Sequence, residues 1–165
     1  MPAETVFLSL GTNLGDREAN LLGAIAALAT IGVRVKKVSS FYETEPVDYL
    51  EQPWFLNCVV EGATDAPALE LLRALRGIEQ KMGSKKVIAK GPRLIDMDIL
   101  LFGDQTIATE ELQVPHRRML MRRFVLAPLA EIAPQVRHPS WSGTAKAMLE
   151  SAADKSQVRR LDRDE

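Results

Sequence analysis

The chain reads as an α+β protein of the split βαβ type, a ferredoxin-like and mostly antiparallel sheet with helices packed on it. Three observations point there. Segments of β-rich and helix-periodic sequence follow one another in the order strand, helix, strand, strand, helix, strand. Neither an internal repeat nor a dividing linker interrupts the 165 residues, so one domain over residues 1–165 is expected. The composition, 46% hydrophobic and 26% charged, can fill a core and excludes disordered, collagen-like and low-complexity classes.

Val6, Phe7, Leu8, Ser9 and Leu10 form a β-favouring run that stops at a polar turn bounded by Gly11 and Gly15. Asp16 is placed to cap the next helix, where Leu21, Leu22, Ile25, Leu28 and Ala29 recur at helical spacing until Gly32. From Val33 to about Tyr42 apolar and basic residues alternate, which predicts a strand with one solvated face. Residues 43–53 carry two prolines and no period and read as a loop; residues 54–60 resume strand composition. Thr64, Asp65, Ala66 and Pro67 signal a helix entry, and Leu69, Leu72, Leu75, Ile78 and Met82 carry the helix to Gly83. A basic loop over 84–93 leads to a fourth strand over 95–102. Beyond it, residues 122–134 predict a short helix, the pattern allows another over 144–153, and a loose tail is expected from about residue 154.

Charge and cysteine usage narrow the class further. Net charge is −1, yet residues 81–123 hold nine Lys/Arg against five Asp/Glu, while the rest of the chain holds 12 against 17. A basic segment inside an acidic protein predicts a local anion site, with phosphate the natural anion, rather than a field for nucleic acid. Cys58 is the only cysteine and cannot form an internal disulfide, so a reducing cytoplasm is expected. No apolar run has the length of a membrane span, and the first residues lack the pattern of a leader.

The chemistry concentrates on Asp96 and Asp98. On a strand, residues i and i+2 leave the same face with Cα atoms about 6–7 Å apart, so the two carboxylates can share metal. Hard oxygen donors suit Mg²⁺, which on few carboxylates completes its shell from water and phosphate. An Asp-x-Asp pair can also simply face solvent at a strand end. Here Arg93 stands three residues before Asp96, five cations between Lys81 and Arg93 meet no acid, and Met97, Ile99 and Leu100 give apolar support. A second cationic cluster, His116, Arg117, Arg118, Arg122 and Arg123, offers guanidinium forks to phosphate, although about half of such a run is ordinarily solvated charge. Zinc has no support, since His138 is the only other histidine and no His or Cys spacing fits. The glycines of the first turn fit neither phosphate-binding fingerprint and are equally those of a plain strand-to-helix turn. Thr44, Phe55 and Asn57 could hold a flat heterocycle by stacking and paired hydrogen bonds, or serve packing alone. Cys58 is most simply a buried strand residue.

Several of these stretches together resemble one family, the 6-hydroxymethyl-7,8-dihydropterin pyrophosphokinases of folate biosynthesis. They are Gly11-Thr12-Asn13-Leu14-Gly15-Asp16-Arg17, Ser39-Ser40-Phe41-Tyr42-Glu43-Thr44-Glu45-Pro46, Phe55-Leu56-Asn57, Ile78-Glu79, Gly91-Pro92-Arg93-Leu94-Ile95-Asp96-Met97-Asp98-Ile99, and Val114-Pro115-His116 with Arg122 and Phe124 to Leu129. The resemblance implies transfer of pyrophosphate from ATP to the pterin hydroxymethyl oxygen, with release of AMP and with two Mg²⁺ ions on Asp96 and Asp98. It implies that Arg93 neutralises transition-state charge, and that Glu79, Lys86, Arg93, Ile99, His116, Arg117 and Arg122 contact ATP. Thr44, Pro46, Val47, Phe55, Asn57 and Phe124 would form the pterin pocket, with Phe55 and Phe124 stacking on its two faces. A cytoplasmic monomer acting on small molecules, without nucleic acid or membrane, is the accompanying expectation.

The loop over 84–90 departs from the family pattern. Many members carry arginine directly after the first glycine and an aromatic residue before Gly-Pro-Arg, where this chain has Ser84 and Lys90. Lysine supplies charge without the bidentate fork, so the loop's catalytic contribution is in question while the metal pair is not. Bracketed by Gly83 and Gly91, the loop is also a candidate lid. Two other classes compete: an RNA-binding module of the same fold, which the 5% aromatic content and the aspartate pair disfavour, and another ATP-dependent kinase, which would form ADP rather than AMP.

Overall fold

The computed structural model describes residues 3–46, 51–83 and 94–161, and its elements follow the expected order. Strand β1 (Glu4–Thr12) leads to helix α1 (Arg17–Leu28), which Asp16 caps by accepting from Ala19 N at 3.1 Å. Strands β2 (Val33–Val38), β3 (Tyr42–Thr44) and β4 (Phe55–Thr64) precede helix α2 (Ala68–Lys81). Strand β5 (Asp96–Phe102) is followed by a small hairpin, β6 (Ile107–Ala108) and β7 (Gln113–Val114), then α3 (Arg123–Ile132), α4 (Ala145–Glu150) and β8 (Val158–Arg160).

The main sheet is antiparallel in the order β5-β1-β4-β3-β8, with β2 paired to β4 beyond β3 along the same edge. Taken as the four expected strands, this is the fourth, first, third and second side by side, the split βαβ arrangement. The expected single strand over 33–42 is broken. Ser39 is buried and bonds Val59 twice, its N–H donating to the Val59 carbonyl and its hydroxyl accepting from the Val59 N–H, both at 2.9 Å. A side chain takes over one ladder bond, and β2 and β3 become separate pieces on β4. Strands β1 and β4 both run further than expected, because their pairing continues past Gly11 and Val60.

Alternation along the strands sends two sets of side chains to opposite faces. Val6, Leu8, Leu10, Leu56, Cys58, Val60, Met97, Ile99 and Phe102 pack against α1 and α2 in the larger core. Phe7, Val59 and Leu101 pack with Val125, Leu126 and Leu129 of α3 in a second core on the other face. A register shift opposite Phe7 and Leu8 leaves Leu100 as an extra residue in β5, so that Asp98 and Leu101 share the α3 face although three positions apart. Burial pushes the Cys58 thiol up to about 12, as suits a packed strand residue.

Residues 154–161, which the sequence leaves as a loose tail, carry structure. Asp154 Oδ2 accepts from Arg123 N at 3.0 Å and so satisfies a donor at the start of α3, while β8 pairs with β3. His138 is buried, its Nδ1 accepting from Ser140 N at 3.0 Å and its Nε2 donating to the Gln105 carbonyl at 2.9 Å, a latch between two loops. None of the helices in the described residues is long and apolar enough to cross a membrane.

Candidate active site

Cross-strand register builds the site. Gly11 of β1 faces Asn57 of β4 on one side and Asp96 of β5 on the other; two residues earlier, Ser9 faces Val59 and Asp98. With strands about 4.8 Å apart, Asn57 and Asp96 therefore stand about 10 Å apart at Cα across the glycine. Phe55, Asn57, Gly11, Asp96 and Asp98 share the face that α3 covers further along. Gly11 makes room in the middle of this row for the Asn57 side chain. A Cβ there would run into Asn57 Oδ1 and meet Phe55 Cδ1 at 3.8 Å. Asn57 is itself fixed, its Nδ2 donating to Thr44 Oγ1 at 2.6 Å, and both residues are buried.

Asp96 and Asp98 are half-buried while Met97 and Ile99 between and after them are buried, as the i and i+2 reading requires. Because β5 is an edge strand, the Met97 N–H and carbonyl point away from β1 and need partners. Helix α2 supplies both. Glu79 Oε2 accepts from Met97 N at 2.8 Å, and Arg76 Nη1 donates to the Met97 carbonyl at 2.7 Å. The same Arg76 Nη1 bonds Glu79 Oε2 at 2.8 Å, and its Nη2 reaches Asp98 Oδ1 at 3.2 Å. Burial works against the Arg76 charge, but Asp98, Glu79 and Asp96 together outweigh it and raise the guanidinium above its ordinary value. Burial raises Glu79 above the carboxylate range, partly offset by the Met97 N–H and Arg76.

His116 follows a cis Val114–Pro115 bond and is tied to β5 through its N–H, which donates to the Leu100 carbonyl at 3.1 Å. Burial lowers its imidazole below the ordinary 6.5, against the pull of Asp98. A neutral ring beside the aspartates can accept or donate a hydrogen bond without adding charge. Arg122 stands at the N-cap of α3, Phe124 in its first turn against the second core, and Arg117 is exposed.

A bracket of polar contacts holds the entry to the row. Asn13 Nδ2 donates to Gln52 Oε1 at 2.9 Å and to the Pro53 carbonyl at 3.0 Å; Arg17 Nη1 donates to the Trp54 carbonyl at 3.0 Å. Arg17 and Arg159 both bond Glu43, at 2.6 and 2.7 Å, and hold its carboxyl below the usual range. Pro46 is buried next to this bracket in sequence. A separate open cleft of about 660 Å³ lies at the other end of β1, lined by Glu4, Thr5, Phe7, Gln105 and Arg137.

The matching family model is that of the 7,8-dihydro-6-hydroxymethylpterin-pyrophosphokinases, over residues 7–134. The chain belongs to the HPPK family. It is 50% identical over 131 residues to the 2-amino-4-hydroxy-6-hydroxymethyldihydropteridine pyrophosphokinase of Bacillus subtilis (strain 168), covering 79% of this chain and 78% of that one. The enzyme of the same name from Aquifex aeolicus is 41% identical over 135 residues, covering 82% and 84%. The Pneumocystis carinii folic acid synthesis protein fol1 is 40% identical over 92% of this chain, which spans 20% of that longer protein. Among solved structures, a Plasmodium falciparum HPPK-DHPS triple mutant with pteroate superposes with TM-score 0.70 at 17% identity, over 90% of this chain and 43% of that one. That likeness supports the fold, and the ferredoxin-like α+β reading holds.

Of the HPPK site residues expected from sequence, Thr44, Phe55, Asn57, Asp96 and Asp98 come together on β3, β4 and β5, with Glu79 and His116 beside β5. Ile99 turns its side chain into the larger core, so only its main chain is placed to meet a ligand on the α3 face. Val47, Lys86 and Arg93, and the loop over 84–90, lie outside the described residues. Sequence reasoning missed Arg76 and the spacing role of Gly11. Arg76 had a signal in its i, i+3 relation to Glu79; Gly11 had none, since its neighbours are set by register alone.

Proposed function

We propose that the row on β4, β1 and β5 carries pyrophosphoryl transfer from ATP to the hydroxymethyl oxygen of 6-hydroxymethyl-7,8-dihydropterin, giving AMP and the pterin diphosphate. The observation that carries this reading is the register that puts Asn57 and Asp96 on either side of Gly11, whose missing side chain admits the Asn57 amide. A pterin on Asn57 and Thr44 would extend its hydroxymethyl group toward the aspartates. Family membership and the relatives named as pyrophosphokinases support the reaction.

Asp96 and Asp98 fit Mg²⁺. They are hard donors on one face, and among the described residues no third carboxylate, His or Cys joins them to form a closed cage. Such a donor set suits a metal that takes the rest of its shell from phosphate and water. In this reading Asp96 and Asp98 would hold two Mg²⁺ ions, whose chemistry would be to draw charge from the transferring phosphates and to acidify the attacking hydroxyl. The chain's own residues do the positioning. Asn57 and Thr44 present a fixed hydrogen-bonding edge to the pterin, with Pro46, Val47, Phe55 and Phe124 supplying apolar walls and ring faces. Glu79, Lys86, Arg93, Ile99, His116, Arg117 and Arg122 bind the nucleotide, Arg93 neutralising the charge that grows on the phosphates. The reading includes a monomer acting in the cytoplasm on small molecules, without nucleic acid or membrane.

A nucleotide product assay with ATP, Mg²⁺ and 6-hydroxymethyl-7,8-dihydropterin tests the proposal. Pterin-dependent AMP is expected; ADP, or no pterin dependence in a folded protein, would overturn it.

A further inference from the structure

Arg76 stands where a metal-binding pair would be expected to keep cations away. It is fixed from two sides that do not involve the pair: Nη1 bonds the Met97 carbonyl at 2.7 Å and Glu79 Oε2 at 2.8 Å. From that anchor Nη2 reaches Asp98 Oδ1 at 3.2 Å, and Asp96 adds to the field on the guanidinium. The anchor matters because a lysine-like floating cation could swing away when another cation arrived. A planar fork bonded to main chain and to a buried carboxylate retreats less.

We propose that Arg76 is the resident counter-cation of the Asp96/Asp98 pair, making metal binding there weak without nucleotide and strong only when phosphates arrive with it. The inference rests on the assignment of metal to this pair. Physically, a divalent ion beside Asp98 meets a positive charge that cannot leave, and that repulsion discounts the attraction of the two carboxylates. Triphosphate oxygens bring negative charge to the same place and offset it. The pair is thereby held in position with part of its charge offset before any ligand is present, and metal enters together with ATP rather than ahead of it. Arg76 is in this sense a positioning residue for Asp98 and a gate on metal occupancy.

The test is Mn²⁺ binding to the nucleotide-free protein, read from the free Mn²⁺ signal in electron paramagnetic resonance, for wild type, Arg76→Gln, Arg76→Lys and Arg76→Gln/Asp98→Ala. Glutamine keeps a donor for the Met97 carbonyl without the charge; lysine keeps the charge without the fork. Arg76→Gln is expected to bind Mn²⁺ about ten-fold or more tightly than wild type, Arg76→Lys to fall between the two because its charge stays but its anchor is lost, and the double variant to lose the gain. Unchanged or weaker binding in Arg76→Gln overturns the proposal, as does equal tightening in Arg76→Lys or a gain that survives the loss of Asp98. Should Arg76→Gln not fold, Arg76→Met, which removes the charge and keeps a packed stem, is read in its place: tighter Mn²⁺ binding than wild type supports the gate and unchanged or weaker binding overturns it. Asp98→Ala alone keeps the two failures apart. Mn²⁺ binding with a non-hydrolysable ATP analogue that is unaffected by Asp98→Ala sinks the metal assignment, whereas binding lost there but not tightened in Arg76→Gln sinks only the role of Arg76.

Discussion

One face of the sheet has two ends that share three strands and differ in everything else. At one end Phe7, Val59 and Leu101 meet α3 and form a dry core; at the other Gly11, Asn57, Asp96 and Asp98 stand uncovered by that core. The change takes only two to three residues along each strand: Phe7 to Ser9, Val59 to Asn57, Leu101 to Asp98. Strand alternation fixes the face and the reach of α3 fixes where it opens. The chemistry begins where the helix stops. The apolar end carries stability and, in the proposed function, the polar end carries the chemistry, so substitutions at the two ends should separate the two properties.

The largest effect is expected at the polar end. Asp98→Ala should lower kcat by about 10³-fold or more through loss of a metal ligand, while stability moves by about 1 kcal/mol or less because only a partly exposed ion pair is removed. Pterin-dependent AMP formation and thermal unfolding, measured together, check it. Leu129→Ala inverts the pattern: a fully buried side chain at the dry end is lost, at about 2–5 kcal/mol in denaturant unfolding, with kcat unchanged below the melting temperature. Gly11→Ala tests the boundary itself. Its Cβ would push Asn57 aside, and overpacking of about 1–3 kcal/mol should appear as a roughly ten-fold rise in pterin KM with nucleotide affinity less affected.

The smallest effect belongs to Glu43, which Arg17 and Arg159 hold from two sides. Its folded value lies below the ordinary 4.5, so the stability it contributes is present above that value and fades as pH falls through the lower folded one. Glu43→Gln should cost about 1 kcal/mol or less at pH 7 and nothing once both states are protonated. Melting curves of the two proteins that stay apart in acid would contradict this.

Much of this contrast was legible in the sequence. Period-2 and helical patterns announced four strands and the helices α1, α2 and α3 because each is a local property, and the Asp96/Asp98 pair announced itself because i and i+2 on a strand always share a face. Strand β8 was not legible: three residues, two of them Arg159 and Arg160, show no apolar alternation, and only pairing with β3 orders them. The break at Ser39 escaped for a similar reason, since the hydroxyl that replaces a ladder bond finds its partner twenty residues away on β4. Arg76 looked like one more charge on an amphipathic helix. Its role arises from α2 lying along the edge of β5, a fact of packing that no window of sequence contains.

Paramagnetic broadening by Mn²⁺ bound together with a non-hydrolysable ATP analogue tests most directly whether metal and pterin sites share one row. The account predicts strong broadening at the Gly11 and Ser9 amides and the Asn57 side-chain amide, abolished by Asp98→Ala, with Leu129 and Arg137 far less affected. Broadening centred on the cleft beside Gln105 and Arg137, or indifferent to Asp98, would contradict it.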